Sequence, residues 1–339
     1  MTNNSNPQKY DVVIIGSGFS GIVAANMLIN ENLNILVVDE NLHIGGQLLR
    51  KIPEKLGEYQ NYKPDYVKKI GFRFVREAQN QKVKIMNHAC LVAVYPGNRL
   101  LIESDRKQVI EVQCDCLLFA TGARERFLPF KGWTLPGVYS TGMTQVLMKS
   151  SGVLPGKSMV IGGTGLFLFS VAYEYLKNKG NLLAVTEQSG MFEKIKMVPA
   201  LFHQFSKVAE GIRYLSKIYS KGVFVRYNTR IIEARGKNSL EEVVIGKVDS
   251  NFKVIPGTEK TYATEALAVG YGFVPNIEAP QSAGCDLVYS DSMGGWIVNV
   301  NEKMETSIPQ IFAAGEITGV GGALKSINEG KIAALTILN

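Results

Sequence analysis

Two stretches of this 339-residue chain join closely spaced glycines to a downstream acid, the combination that holds a nucleotide by its phosphates and its sugar. The first is Gly16-Ser17-Gly18-Phe19-Ser20-Gly21, with the apolar run Tyr10–Ile15 before it and the apolar, alanine-bearing run Ile22–Leu28 after it. That order reads as strand, tight turn and helix. Gly16 permits the turn, Gly18 lets bare backbone approach a pyrophosphate, and Gly21 allows helix and strand to pack closely. Phe19 and Ser20 lie at the mouth of the helix, whose amides and dipole favour negative charge. A second apolar run, Asn34–Val38, ends in the acidic pair Asp39 and Glu40, where a carboxylate can accept hydrogen bonds from ribose hydroxyls. Position favours Asp39, with Glu40 close behind; a solvated pair at a strand end is the plain alternative. Gly45, Gly46 and Gln47 follow at once, and glycines there let the main chain pass close under a flat ring system.

The second stretch is Gly163-Thr164-Gly165-Leu166-Phe167-Leu168, with Leu168 in place of a third glycine. The larger side chain predicts a helix set further from its strand. Glu187 ends the next apolar run and can meet a ribose 2′-hydroxyl, and no arginine follows it to accept a 2′-phosphate. A ligand here is expected to be NAD(H) or an adenine nucleotide; a vestigial fold with no ligand is the alternative. A third glycine cluster lies near the carboxyl terminus. Gly315-Glu316 follows the short run Gln310–Ala314, and Gly319–Gly322 then opens a last helix at Ala323. A carboxylate at Glu316 can hydrogen-bond a flavin's ribityl chain, while helix-end amides at Gly322 and Ala323 face the ring's polar edge. Thr121-Gly122, which closes a β-rich stretch, completes the set of expected cofactor contacts.

No side chain stands out as catalytic. His43, His88 and His203 form no constellation, no metal-ligand cluster or nucleophile elbow is visible, and Cys90, Cys114, Cys116 and Cys285 show neither disulfide nor zinc spacing. His43, near the glycine pair, is the one histidine placed to meet a flavin, and a surface loop residue is the favoured reading. Cys114 and Cys116 alternate in a strand pattern, which predicts both side chains on one face rather than a redox pair. The chemistry is then the cofactor's own hydride and electron transfer, with the protein supplying position and electrostatics.

The elements that must place these residues form an internal repeat. The first unit runs strand, turn, helix, strand through Val38. Residues 51–81 are polar, aromatic and charged, with helical spacing from Asp65 onward. Val83–Phe119 reads as several β segments with turns at Pro96-Gly97 and near Asp105. The pattern then repeats as strand Ser158–Ile161, glycine turn, helix Leu166–Lys179 and strand Asn181–Thr186. Pro199–Lys221 reads as helix, and Val223–Ile255 as strands with a turn near Asn238. Leu267–Val269 leads into a glycine-rich crossing, Gly270–Pro275, followed by a loop region and the closing strand and helix. The expected fold is α/β, with two nested Rossmann-like FAD/NAD(P)-binding domains and the second inserted in the first. The breaks fall near Phe127 and Thr264, giving an FAD domain of residues 1–126 and 265–339 around a second nucleotide domain of residues 127–264.

With 46% apolar and 20% charged residues, the chain has the composition of a globular protein. The formal charge of +7 is compatible with nucleotides, a membrane surface or an acidic partner and selects none of them; without a basic block, nucleic acid is a weak candidate. No secretory apolar segment follows the polar start, and the most apolar stretch, Met159–Ala172, carries glycines and is too short to span a bilayer. The expected location is the cytoplasm.

Taken in order, these motifs resemble the flavoproteins with two dinucleotide-binding domains related to glutathione and thioredoxin reductases, without their active disulfide. Thr121-Gly122-Ala123-Arg124-Glu125-Arg126, Lys131-Gly132-Trp133-Thr134-Leu135-Pro136-Gly137-Val138, Gly163-Thr164-Gly165, Gly270-Tyr271-Gly272-Phe273-Val274-Pro275-Asn276 and Gly294-Gly295-Trp296 are similar to one group in particular. That group holds the α-subunits of opine oxidases, dye-linked proline and hydroxyproline dehydrogenases, and hydrogen cyanide synthase, and the likeness runs from about Tyr10 to Leu335. It implies an FAD-dependent subunit that passes electrons between flavin and a partner flavoprotein during amino-acid, opine or amine oxidation. The group commonly has aspartate where this chain has Glu316, and many members continue into a cysteine-rich iron–sulfur segment; the resemblance implies that such a relay here comes from another subunit or is absent. A stand-alone NADH-dependent flavin reductase or diaphorase is the second expectation. A nucleotide-binding subunit without turnover is the third.

Overall fold

The computed structural model describes residues 7–49, 66–79, 83–104, 108–190 and 205–339. The helical reading at Asp65 and at 199–204, the polar stretch 51–64, the turn at Asp105 and His203 lie outside the described residues. The chain divides into two compact units, Met1–Arg124 with Phe273–Asn339, and Glu125–Gly272.

The first unit opens with β1 (Gln8–Ile15), α1 (Phe19–Leu28) and β2 (Ile35–Val38), then α2 (Tyr66–Gln79) and β3 (Lys84–Met86). β4 (Cys90–Tyr95), β5 (Arg99–Glu103) and β6 (Val109–Phe119) follow as an antiparallel meander. β2 is buried at every position, as a central parallel strand covered on both faces must be. The sheet order is β3-β2-β1-β6-β5-β4. β6 serves two neighbours: Val109–Gln113 pair antiparallel with β5, and Leu117–Phe119 pair parallel with a strand from the far end of the chain.

Side-chain alternation slips by one near Asp11. The amides of Asp11 and Val12 both point to the Asn34 carbonyl, at 3.0 and 3.4 Å. β6 follows in register, with Tyr10 opposite Cys114 and Val12 opposite Cys116. Cys114 therefore packs with Val13, Ile15 and Phe119, whereas Cys116 packs against the opposite layer, with Val12, Ile14 and Leu118. The expectation that both thiols share a face is corrected by this local bulge, because one extra residue exchanges the two faces of a strand.

β7 (Ala123–Glu125) carries the chain out of the first unit. The second unit contains β8 (Val138–Ser140), α3 (Thr141–Ser150), β9 (Ser158–Gly163), α4 (Phe167–Lys177), β10 (Asn181–Glu187) and α5 (Phe205–Tyr219). β11 (Val225–Tyr227), β12 (Thr229–Arg235), β13 (Glu242–Lys247), β14 (Lys260–Ala263) and β15 (Ala266–Gly270) complete it. Its main sheet has the order β11-β10-β9-β15-β8, parallel throughout, and β12, β13 and β14 form a separate antiparallel sheet. The chain returns to the first unit through β16 (Phe273–Pro275) and α6 (Glu278–Ser282).

The stretch after Pro275, expected as loop, contains a hairpin of β17 (Leu287–Ser290) and β18 (Gly295–Val298). Gly294 at φ +99° and Gly295 at φ +113° make the turn that joins them. β19 (Ile311–Ala313) then pairs with β6, and α7 (Ala323–Ile337) packs on α1. The contact is close because Gly330 has no side chain: a Cβ there would lie 2.4 Å from the Ser20 carbonyl oxygen.

Candidate functional site

The parallel strands of the first unit end at one edge, where three glycine segments meet. The Gly16 amide donates to the Val38 carbonyl at 2.8 Å, the Ala120 amide to Ile15, and the Ala314 amide to Phe119. Chain order reverses at β1, since β2 and β3 lie on one side and β6 with β19 on the other. Such a switch point leaves a crevice beyond the strand ends.

Within that crevice the glycines have distinct duties. A Cβ at Gly16 would sit 2.3 Å from the Ala120 carbonyl oxygen, and one at Gly21 would sit 2.0 Å from the Gly16 carbonyl oxygen. Both are fixed by the fold. Gly18 is different: its φ of −64° is ordinary for any residue, and a Cβ there would meet nothing within 4 Å. Gly18 also caps α1 without any side-chain hydrogen bond, and no acid occupies the helix's first turn. An uncapped helix mouth, with open space at Gly18, suits a pyrophosphate. Gly46 lies directly against Gly18, since a Cβ on it would be 2.8 Å from the Gly18 Cα. The Gly45 amide donates to the Ser17 carbonyl at 2.9 Å, so the following loop does return to the same crevice, with Gln47 exposed. Phe19 turns its ring inward beside Ile22 and Leu49, and Ser20 is also buried, so these residues offer amides rather than side chains. His43 is exposed.

The acidic pair divides its labour. Asp39 is buried; its Oδ2 accepts from the Ser17 amide at 2.7 Å and the Ser17 hydroxyl at 2.6 Å, and its Oδ1 accepts from the amide and side chain of Asn41, both at 2.8 Å. A carboxylate has about four acceptor sites. Asp39 thus spends them inside the chain, holding the glycine turn against the strand end, while Glu40 beside it is exposed.

Thr121 and Gly122 are held by a residue that sequence reasoning did not single out for the site. Asn276 donates from Nδ2 to the Thr121 carbonyl at 2.9 Å, its carbonyl accepts from the Thr121 hydroxyl at 2.8 Å, and its amide donates to Gly122. Arg124 joins this group through the Asn276 Oδ1 and an ion pair with Glu278 at 2.6 Å. That ion pair holds the Glu278 carboxyl below its ordinary range, against the opposing pull of burial. The signal was present in the sequence as the asparagine closing Gly270–Asn276.

The third segment holds a second surprise. Gly315, at φ +95°, is gripped on both sides: its amide donates to Glu329 Oε2 at 2.8 Å, and its carbonyl accepts from the Lys325 ammonium at 2.9 Å. Lys325 and Glu329 also pair with each other at 2.8 Å and share the Thr318 hydroxyl. Lys325 and Glu329, spaced i and i+4 on α7, are the sequence signal for this clamp. Glu316 does not project freely. Its Oε1 accepts from the Gly321 amide at 3.0 Å and from the Gly322 amide, so it covers the helix end at Gly322 and Ala323 that was expected to face the flavin ring.

The second unit repeats the first turn with changes. Gly163 presses on Gly270, where a Cβ would approach the carbonyl oxygen to 1.8 Å, and the Thr164 amide donates to that same oxygen at 2.8 Å. A Cβ at Gly165 would meet nothing within 4 Å, and Leu166 caps α4 without a side-chain bond while 57% exposed. Leu168 is buried in the core beneath α4, which starts one residue later after its turn than α1 does. Glu187, fully buried, accepts from the Thr164 hydroxyl at 2.8 Å and from the amides of Gly165 and Ser189, both at 3.1 Å. By contrast, α3 is capped twice over. Ser140 accepts from the Met143 amide, and Glu125 accepts from the Gly142 amide at 2.8 Å and from the Thr141 hydroxyl.

All four cysteines are free thiols. Burial pushes the Cys114 thiol up to about 12, which keeps it protonated. Among the described residues no cluster of histidine, cysteine or carboxylate side chains could hold a metal ion, and no helix is long and apolar enough to cross a membrane.

Comparison with known proteins places this geometry. The chain is 29% identical over 328 residues to the hydrogen cyanide synthase subunit HcnB of Pseudomonas protegens, covering 96% of this chain and 70% of that one. It is 27% identical over 337 residues to an opine oxidase subunit of Rhizobium meliloti, covering 97% of this chain and 71% of that one. The thioredoxin reductase of T. acidophilum shares the fold, with a TM-score of 0.69 at 18% identity over 97% of this chain and 98% of that one. Residues 10–333 match the pyridine nucleotide-disulphide oxidoreductase family. The chain belongs to that family: it is an FAD-dependent oxidoreductase of two Rossmann-type units, with sites for FAD and a pyridine nucleotide and without a disulfide among its cysteines.

Proposed function

We propose that this chain is the flavin-carrying subunit of an enzyme that oxidises an amino acid, opine or related amine and passes electrons to a partner. The relatives support the reading, since both are named as subunits, one of an opine oxidase and one of hydrogen cyanide synthase. The observation that carries the flavin part is the bare mouth of α1, with Gly18 facing open space. FAD, when bound, supplies hydride and electron transfer. The chain's residues position it: the amides from Gly18 to Gly21 take the pyrophosphate, and Gly46 backs Gly18. The exposed Glu40 accepts the ribose hydroxyls, and Asp39 keeps the turn in shape through Ser17. Asn276 fixes Thr121 and Gly122, and the Lys325–Glu329 clamp fixes Gly315 and hence Glu316. In this division the unit Met1–Arg124 with Phe273–Asn339 binds FAD, and Glu125–Gly272 binds the second nucleotide. The test is co-purification of the chain with the products of neighbouring genes, followed by amine-dependent dye reduction. A partner that raises the rate supports the proposal; a chain that stays alone, with no neighbour enhancing turnover, sinks it.

A second reading, an NADH-dependent flavin reductase, is favoured by the uncapped start of α4 beside Gly165. Anaerobic stopped-flow mixing with NADH separates the two: rapid bleaching of the flavin without any partner favours the reductase, and an unchanged spectrum removes it.

A further inference from the structure

At the amino edge of the second unit's main sheet, where α4 and α5 end and β10 begins, lies a hollow of about 430 Å³. The buried Leu182 and Val223 line it from below. Four lysines surround it, Lys177 and Lys179 from the end of α4 and Lys217 and Lys221 from the end of α5. Among the described residues none of the four has an ion pair or a side-chain hydrogen bond, and no acid, arginine or aromatic residue lines the hollow. The seven residues of β10 put this edge roughly 20 Å from the glycine turn at Gly163–Gly165, which does not reach it.

A cation in the last turn of a helix complements the helix dipole, and that accounts for Lys177 and Lys217. It does not account for Lys179 and Lys221, which lie in the turns beyond. Lys179 holds the left-handed position of the α4 ending at φ +65°: its amide donates to the Leu176 carbonyl at 3.2 Å, and the Gly180 amide donates to Tyr175 at 3.0 Å. Glycine is the residue that suits such a position, and α5 ends in the same hydrogen-bond pattern on Gly222 at φ +74°. The chain therefore keeps a lysine where a glycine would be less strained. The internal repeat supplies the control. Between Ile22 and Asn34 the first unit builds the matching helix and turn without a lysine, with Glu31 exposed and Asn32 in the left-handed position. Lys84, at the start of β3, is spent on Gln8 at 3.1 Å and on the Tyr10 hydroxyl at 2.8 Å. The fold itself does not call for four free lysines at this edge.

Like charges around one hollow repel, and an anion among them converts that repulsion into attraction. The volume falls within the roughly 300–1,000 Å³ of small-molecule sites and takes more than one phosphate group. Lysine binds phosphate as a point charge, whereas the planar fork that suits a carboxylate belongs to arginine. A chain of phosphates also carries more charge per volume than an acidic peptide, whose carboxylates come one to a side chain. Without an aromatic wall a nucleotide base gains no stacking, so affinity resides in the phosphates. We propose that this hollow is a binding site for a compact polyphosphate anion, free or as the triphosphate of a nucleotide, held by Lys177, Lys179, Lys217 and Lys221. The site does not depend on what the glycine turns bind.

Calorimetric titration of the purified chain with inorganic triphosphate tests the site. Triphosphate should bind at least tenfold more tightly than orthophosphate, and its affinity should fall several-fold between about 0.05 and about 0.2 M salt. Lys179→Gln combined with Lys221→Gln should weaken triphosphate at least tenfold, while Leu166→Glu at the glycine turn should leave it within twofold. Lys179→Gly should weaken the anion without lowering the protein's melting temperature, a pairing that a merely structural lysine would not give. ATP that binds as tightly as triphosphate identifies a nucleotide as the source, and a preference for triphosphate over ATP identifies free polyphosphate; either result supports the site. It is overturned if triphosphate does not bind, if Leu166→Glu removes binding and the lysine variants do not, or if a hexaglutamate peptide binds as tightly as triphosphate.

Discussion

The two glycine turns differ most in what their strand-end acids are free to do. In the first, a short aspartate reaches the second residue of the turn, Ser17, and a further acid, Glu40, stands exposed beside it. In the second, the longer Glu187 reaches one residue further, to Gly165, and its neighbour is the uncharged Gln188. Both buried acids are spent on their own turns. On the proposed reading only the first turn keeps a spare carboxylate for a ribose, and a ligand at the second would rest on the turn's amides. On that reading a glycine turn with an acid about twenty residues on combines a structural brace, here Asp39, with a sugar contact on a different residue, here Glu40.

Substitutions can break that comparison at each level. The largest effect is expected at Gly21→Val, whose side chain collides with the Gly16 carbonyl; the protein should be lost to the insoluble fraction on expression. Gly18→Val meets no such obstacle and should fold with an apoprotein melting temperature close to the parent's. It should lose FAD affinity by on the order of 100-fold, the scale of one or two charge-assisted hydrogen bonds, measured by flavin fluorescence on titration. Full flavin occupancy in Gly18→Val would show that the phosphates lie elsewhere.

Asp39→Ala and Glu40→Ala should separate brace from contact. Removing Asp39 leaves the buried Ser17 amide without its acceptor and should cost about 2 to 4 kcal/mol in urea unfolding of the apoprotein. Glu40→Ala should leave unfolding unchanged and weaken FAD by about tenfold. The reverse pattern would return the sugar contact to Asp39. Leu166→Glu sharpens the second turn, since an acid at that exposed position repels phosphate without crowding the fold; it should weaken dinucleotide binding several-fold and leave bound FAD untouched.

The smallest effect is one of pH. Burial raises Cys114, Tyr175 and Tyr227 each to about 12, against ordinary values of 9.0, 10.0 and 10.0. In the unfolded chain these groups ionise at their ordinary values, so their contribution to stability is complete below pH 9 and is lost as pH rises toward 12. Urea midpoints should fall steadily between pH 9.5 and 11.5, and the part of the tyrosinate absorbance that disappears in a Tyr175→Phe, Tyr227→Phe variant should develop only as the chain unfolds. If that difference between parent and variant develops while the protein is still folded, the assignment for Tyr175 and Tyr227 is wrong.

Much of this architecture could be read from residues alone, for physical reasons that also mark where reading stopped. Gly16, Gly21 and Gly163 announce themselves because each sits in a short strand–turn–helix motif at a position where no Cβ fits. The apolar runs Ile35–Val38 and Leu182–Val185 are legible because the middle of a parallel strand covered on both faces has no polar interruptions. The slip between Cys114 and Cys116 was invisible, since it originates in a bulge on the neighbouring strand β1. The hairpin Leu287–Val298 escaped because half its side chains face solvent at a short edge, leaving little apolar pattern. Asn276, Lys325 and Glu329 act on Thr121 and Gly315 through backbone groups, and a hydrogen bond to a distant main chain leaves almost no mark on the local sequence.

The pairing of β19 with β6, and the seating of Gly330 on Ser20, have a consequence for biosynthesis. The inserted unit, Glu125–Gly272, leaves the ribosome whole while the other still lacks Phe273–Asn339, with β16 to β19, α6 and α7. On the proposed assignment of FAD to the discontinuous unit, flavin capture waits until β19 and α7 are released, and a nascent chain stalled before β19 would carry a completed inserted unit and a flavin unit still short of a strand and a helix.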